Sequence, residues 1–238
     1  MRLALVSDQH GNDVAFRAVA GDLHRIGVDE VVCLGDAVQA GPEPAEILDR
    51  LRTLDCTTVL GNSDALLLEV PEDSPEPIDD RLLEVREWTL SRLDESHLAQ
   101  IRSFTPVVHR ELDGVSTVFF HGSPRSYDDV LLPESGGEAL APFQDADAGL
   151  LAGGHTHLQW TREIGGALYV NPGSVGVSYD RHGDPLDLRP LAEWALVTVE
   201  NGAVAVEFRQ VPYSVDDVRA TAARSGRPYA DEWAAHWT

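Results

Sequence analysis

Five short polar motifs constrain this chain more than any other feature. In order they are Asp8-Gln9-His10-Gly11-Asn12, Gly35-Asp36, Gly61-Asn62-Ser63-Asp64, His121-Gly122 and Gly153-Gly154-His155-Thr156-His157. Most follow an apolar run: 3–6 precede Asp8, 31–34 precede Asp36, 57–60 precede Asn62, and 115–120 precede His121. Polar residues directly after apolar strands sit at the carboxyl ends of those strands, where open α/β sheets gather ligands. Between the first motifs, Phe16, Val19, Leu23 and Ile26 recur near helical spacing, and Gly27 ends that helix. A strand at 30–34 meets a Gly41-Pro42 turn, and Pro44 opens a helix with Ile47, Leu48, Leu51 and Leu54 on one face. A third strand follows at 57–60. This βαβαβ rhythm implies parallel pairing with right-handed crossovers, so Asp8, Asp36 and Asn62 converge on one edge.

An acidic, proline-rich stretch at 71–80 suits neither a helix interior nor a central strand and reads as an excursion. Helical patterns at 80–93 and 95–104 are expected above the edge carrying the motifs, followed by strands at 115–120 and 150–152. Segments 158–163, 167–170, 195–199 and 204–210 read as short antiparallel strands, the last two joined at Asn201-Gly202, which together suggest a second sheet packed on the first. From about residue 214 a helical tail begins, capped by Ser214 or Asp216, and ends in Trp233 and Trp237, which are expected to bury themselves within the chain. The whole, 1–238, reads as a single domain.

With 43% hydrophobic residues the chain can bury a core without staples. Forty acidic against eighteen basic residues give a formal charge of −22, which repels nucleic-acid backbones and anionic membranes at long range. No nucleic-acid duplex and no membrane are therefore expected as partners, and an anionic substrate has to rely on local metal charge. All the basic residues are Arg, which excludes Schiff-base and P-loop lysine chemistry. Cys33 and Cys56 make no metal-ligand spacing and read as buried free thiols. Met1 leads almost directly into the first strand with no signal-peptide pattern, and no apolar run approaches membrane-spanning length, so a cytoplasmic protein is expected.

The motifs together offer seven metal ligands: Asp8, His10, Asp36, Asn62, His121, His155 and His157. Asp8 and His10, one residue apart, can reach the same ion with Gln9 turned away. Asp36 has two carboxylate oxygens and can bridge two ions about 3.5 to 4 Å apart. Asn62 gives an amide oxygen and the histidines give imidazoles. Such ligands without thiolate favour Mn, Fe, Co, Ni or Zn over Ca, Mg or Cu(I), with Mn the first expectation. A lone Asp-x-His or Gly-Asp is more often a turn or a cap; the joint occurrence of all five motifs is what points to a dinuclear site. His24, His97, His109, His182 and His236 lie outside the motifs and read as surface residues.

On these motifs the chain resembles the calcineurin-like metallophosphoesterases, in the small prokaryotic phosphodiesterase branch that carries Asn171-Pro172-Gly173-Ser174 after the last histidine pair. The resemblance covers about residues 1–180. It implies an α/β fold, a four-layer α/β/β/α sandwich of two mixed sheets. It also implies that Asp8, His10, Asp36 and His157 bind one divalent transition-metal ion, and that Asp36, Asn62, His121 and His155 bind a second. Asp36, Asn62 and His121 then form the catalytic heart, and a hydroxide bridging the two ions attacks phosphorus in line. Asn12, Ser63 and Arg125 are candidate substrate contacts, and Tyr127 is a further one; Asn12 reads equally as a turn residue.

One position departs from the family pattern. Many members carry His after the Asn of the third motif, where it protonates the leaving oxygen; this chain has Ser63, a poor general acid near neutral pH, and Asp64 loses the partner it would orient. Without that proton donor, good or strained leaving groups are favoured. The expected substrate is thus a small nucleotide or aryl phosphodiester, such as a 2′,3′-cyclic nucleotide. The alternatives are a phosphomonoesterase, a dinucleoside polyphosphate hydrolase or, in another class, a metal-binding scaffold like the family's retromer-subunit branch.

Overall fold

In the computed structural model, which describes residues 1–71, 78–180 and 187–237, the amino-terminal apolar run forms strand β1 (Arg2–Val6). Helix α1 (Asp13–Ile26), strand β2 (Glu30–Cys33), helix α2 (Pro44–Thr53) and strand β3 (Thr57–Thr58) follow. β1 pairs in parallel with β2, and β2 with β3, as the βαβαβ rhythm expects. Asn12 starts α1 by accepting a hydrogen bond from the Ala15 N–H, and Gly27 ends it in the left-handed conformation that glycine adopts without penalty.

The third strand is shorter than the apolar run suggested, because Gly61 breaks it and Asn62 opens helix α3 (Asn62–Leu68). Helices α4 (Asp80–Ser91) and α5 (Glu95–Arg102) come next. The segment expected at 71–80 falls mainly on 72–77, outside the described residues. α5 does not stand above the motif edge. Ile101, at its carboxyl end, joins Ile47, Leu48 and Leu51 of α2 and Phe16 and Val19 of α1 in one cluster covering the outer face of the first sheet.

Strands β4 (Val107–Leu112), β5 (Val115–Phe120), β6 (Leu150–Ala152), β7 (Gln159–Ile164) and β8 (Ala167–Pro172) make the second sheet, in the order β4-β5-β6-β8-β7. β6 is parallel to both β5 and β8, so this sheet is mixed rather than purely antiparallel. β9 (Leu191–Glu200) and β10 (Ala203–Pro212) correct the sequence reading. They do not belong to the second sheet: β9 pairs antiparallel with β1 and completes a first sheet ordered β10-β9-β1-β2-β3. β9 is buried along nearly its whole length because it is central, whereas β10 is an edge strand and largely exposed.

The sheets face each other across Leu3, Leu5, Val32, Leu34, Phe119, Ala152, Val170 and Val197. Side chains of opposite parity, such as Ala4 and Val6 in β1 and Val118 and Phe120 in β5, face the outer layers. The first sheet is thus covered by long helices. The outer face of the second is covered by Leu131, by Phe143 of the one-turn helix α6 (Ala141–Gln144), and by the 3₁₀ turn Gly137–Leu140 that leads into it. Helices α7 (Val215–Ser225) and α8 (Ala230–Ala235) close the chain, with Ser214 capping α7 and Trp237 fully buried beside Val14 of α1. No helix among the described residues is long and apolar enough to cross a membrane.

Candidate metal centre

All seven candidate ligands meet at one edge of the sandwich. Asp8 and His10 follow β1, Asp36 follows β2, Asn62 is the first residue of α3, His121 directly follows β5, and His155 and His157 follow β6. They fall into two triads, Asp8, His10 and His157 and then Asp36, His121 and His155, in each of which the ligand atoms all lie within 4.8 Å of one another. Asp36 links the triads: its Oδ2 lies 3.4 Å from His121 Nε2 and 3.7 Å from His10 Nε2. Asn62 Oδ1 is 3.1 Å from His121 Nε2, which places the amide on the second triad.

The backbone delivers these groups at a cost. Asp8, His10, Asp36, His155 and His157 all have left-handed φ, between 46° and 70°. Non-glycine residues held there store strain that the surroundings must over-determine. The surroundings are close-packed glycines and backbone hydrogen bonds. Asp8 and His10 donate their N–H groups to the carbonyls of Gly35 and Asp36, and the Asp8 carbonyl accepts from Gly176 N–H and Ser174 Oγ–H. A methyl on Gly35 would lie 2.7 Å from Gly61 N and 2.9 Å from His121 Nδ1, so only glycine allows the loops to approach.

Second partners set the imidazole faces. His121 Nδ1 lies 2.7 Å from the Leu34 carbonyl and His10 Nδ1 lies 3.1 Å from the Gln39 carbonyl, so each Nδ1 carries a proton and each Nε2 is turned to the site, where it can ligate once free of its own proton. His10 Nε2 then faces His157 Nε2 at 3.2 Å, and Asp8 Oδ1 lies 3.2 Å from His157 Nε2, yet this buried carboxylate oxygen has no hydrogen-bond partner. Converging imidazole nitrogens with an orphaned buried carboxylate oxygen form an environment that a cation satisfies. The donor set fits divalent transition metals.

Proton affinities in the metal-free protein say the same. Burial alone would raise Asp36, but the nearby imidazoles, His121 foremost, hold its carboxyl far below the usual carboxylate range. Burial would lower His121, but Asp36 wins and lifts it to about 9. Burial together with the charge on His121 pushes His155 down to about 4. For His157 burial is again opposed, by Asp8, and the net shift is upward. The site attracts positive charge, and protons occupy places that a metal would take.

Around the ligands, further residues of the motifs and of the Asn-Pro-Gly-Ser run act as positioning groups. Ser63 donates its N–H to Asp36 Oδ1 at 2.9 Å and its hydroxyl to Asp36 Oδ2 at 2.8 Å, so it tethers the shared carboxylate. Asp64 is not left without a role: buried, it accepts from the Ala37 and Val38 N–H groups and pins the loop that carries Asp36. Burial and the neighbouring Asp36 raise its carboxyl to about 7. Asn171 donates to the Gly154 carbonyl and to Thr156 Oγ1, bracing the turn with His155 and His157. The Asn-Pro-Gly-Ser run was the available signal for that brace and for Ser174.

The candidate substrate contacts fare differently. Asn12 is buried, its oxygen capping α1 and its amide donating to the Gly176 carbonyl, so both ends serve the fold. Arg125 is exposed and paired with Asp145. Gln9 turns away from the ligands, its amide 3.4 Å from Cys33 Sγ. Cys33 is a buried free thiol, while Cys56 is only partly buried. His97, read as a surface residue, is instead buried as the third residue of a capping box with Asp94. His182 lies outside the described residues.

A sequence model of the calcineurin-like phosphoesterase superfamily domain matches residues 1–199. An uncharacterised protein of Methanocaldococcus jannaschii is 26% identical over 181 residues, 75% of this chain and 72% of that protein. Among solved structures, a metallophosphoesterase from Sphaerobacter thermophilus superposes with a TM-score of 0.76 at 27% identity, covering 99% of each chain. A hypothetical protein from Pyrococcus horikoshii OT3 superposes with a TM-score of 0.80 at 18% identity, over 98% of this chain and 96% of that one, and this likeness is one of fold. With the family match reaching strands of both sheets and including every candidate ligand, the chain belongs to the calcineurin-like phosphoesterase superfamily.

Proposed function

We propose that this protein is a dinuclear metal-dependent phosphodiesterase acting on small nucleotide or aryl diesters, with Mn²⁺ as its working ion. Family membership supports metal-dependent phosphoester hydrolysis. The observation that carries the finer reading is the pair of triads with Asp36 between them and the orphaned oxygen of Asp8 facing inward. Asp8, His10 and His157 would hold one ion, Asn62, His121 and His155 the other, and Asp36 would serve both. Bound there, the ions supply Lewis acidity, lower the pKa of water and offset phosphoryl charge. The chain's own residues hold the ligands in place: Leu34 and Gln39 fix imidazole tautomers, Asp64 pins the Asp36 loop, and Ser63 orients the Asp36 carboxylate.

A preference for stable or strained leaving groups is supported by what Ser63 does. Its hydroxyl is committed to Asp36, and a hydroxyl is in any case a weak acid, so position 63 offers no proton to a departing alkoxide. Leaving groups that depart as stable anions are then favoured. The test is hydrolysis by EDTA-stripped protein, with and without Mn²⁺, of bis(p-nitrophenyl) phosphate, p-nitrophenyl phosphate and 2′,3′-cyclic AMP. Mn-stimulated cleavage of the diesters, at least tenfold above the monoester, is expected. A monoester preference would overturn the diester reading, and no turnover with any divalent ion would overturn the hydrolase reading.

A further inference from the structure

Next to the candidate metal centre, on the His157 side, lies a cleft of about 330 Å³ that the reaction chemistry does not use. Its volume falls near the lower end, about 300 Å³, of pockets that take small ligands. His157 forms part of its wall, and the Tyr179 ring stands 6.4 Å from the His157 ring, so an occupant borders a candidate metal ligand directly. Trp160 and Phe208 complete an aromatic lining. Phe208, on the edge strand β10, is 38% exposed, a large apolar ring left in water at the cleft mouth. Trp160 is buried, and its indole N–H has no partner. A buried indole donor without an acceptor is costly unless something supplies one.

The charges in the cleft select the kind of occupant. Arg189 donates to Glu193 Oε1 at 2.6 Å, and Gln210 donates to the same oxygen at 2.9 Å. Among the described lining residues the one guanidinium, that of Arg189, is charge-paired with a carboxylate, Asp180 adds a second acid, and the Arg189 Nε–H stays buried without a partner, so the wall favours a neutral acceptor over a phosphate. A flat, uncharged ring with acceptor atoms at its edge fits: it stacks on aromatic faces and can meet a free N–H. We propose that this cleft seats the aromatic ring of one ester arm, a nucleobase or an aryl group, while the phosphate stays at the metal ligands. This rests on the phosphodiesterase reading and names what that site selects.

Three diesters that share p-nitrophenolate as leaving group test it: the methyl, the p-nitrophenyl and the thymidine 5′ esters of p-nitrophenyl phosphate. The Mn-loaded protein is expected to show a KM at least tenfold lower for one or both ring-bearing arms than for the methyl arm. The better of the two identifies the ring as aryl or nucleobase. Phe208→Ala is expected to narrow that gap at least threefold, and Tyr179→Phe, which keeps the ring, to preserve it. Equal KM for methyl and ring-bearing arms, or a gap untouched by Phe208→Ala, would overturn the proposal and leave the hydrolase reading standing. Should none of the three be cleaved, saturation-transfer NMR with adenosine 5′-monophosphate reads the cleft on its own. Saturation of the adenine protons that Phe208→Ala abolishes supports the ring site, and its absence in the unsubstituted protein refutes it.

Discussion

The residue that organises the centre is Asp36, and its environment makes metal binding a competition with protons. Its charge lifts His121 to about 9 in the metal-free protein, against burial that would lower it. The His121 ring must give up that proton before Nε2 can ligate. Since the raised pKa belongs to the metal-free state, the apparent affinity for divalent ions should climb as pH rises from about 6.5 towards 9, by up to about tenfold per pH unit for one proton released. Titration calorimetry in buffers of different ionisation enthalpy measures the release; an affinity flat across that range would contradict it. Ser63 makes a second prediction. Ser63→His should raise the turnover of alkyl relative to aryl diesters by on the order of a hundredfold, the usual contribution of a general acid. An unchanged ratio would detach leaving-group choice from position 63.

At the scale of elements, the site is a meeting of loops that follow strands, and glycines set how closely they meet. A methyl on Gly61 would overlap the Asp36 carboxylate and its backbone nitrogen. Gly61→Ala should therefore displace Asp36 and lower Mn-dependent turnover by a hundredfold or more while leaving the far-ultraviolet circular dichroism intact; near-normal turnover would show that the loops can separate freely. The ligand-bearing loops were legible because β1, β2 and β5 are buried runs ending in unusual polar residues. Several elements were not. β4 was missed because His109, Arg110 and Glu111 lie exposed on an edge strand and break the apolar pattern. α3 is only seven residues long, and its Asn-Ser-Asp start reads as a turn. β9 was assigned to the wrong sheet because its pairing with β1 joins residues nearly two hundred positions apart, a register that no local pattern encodes.

Across the whole molecule, the carboxyl-terminal helices pack against the elements that carry the metal edge. Trp237 is fully buried, its indole N–H donating to Tyr213 Oη at 2.6 Å, and it packs with Val14 and Leu188. Arg227 donates to the carbonyl of Ala40, next to the Gln39 whose carbonyl holds His10. That the tail would bury its tryptophans could be read from their size and apolarity; that it would brace the second ligand loop could not, because Arg227 carries no local mark of its distant partner. Trp237→Ala should cost about 3 to 5 kcal/mol, a fall in Tm on the order of 10 °C for a chain of this length. A melting curve within a degree of the parent would mean that the tail folds independently of the sandwich.

The proposed dinuclear centre requires one carboxylate, Asp36, to join two metal positions. Its most direct measurement is the metal content of EDTA-stripped protein reconstituted with Mn²⁺ and freed of excess ion, alongside Asp36→Asn and turnover of bis(p-nitrophenyl) phosphate on the same samples. Two ions per chain are expected in the parent, with one or none in Asp36→Asn and turnover lost with them. One ion per chain in the parent, or two retained in Asp36→Asn with turnover intact, would contradict a shared dinuclear centre.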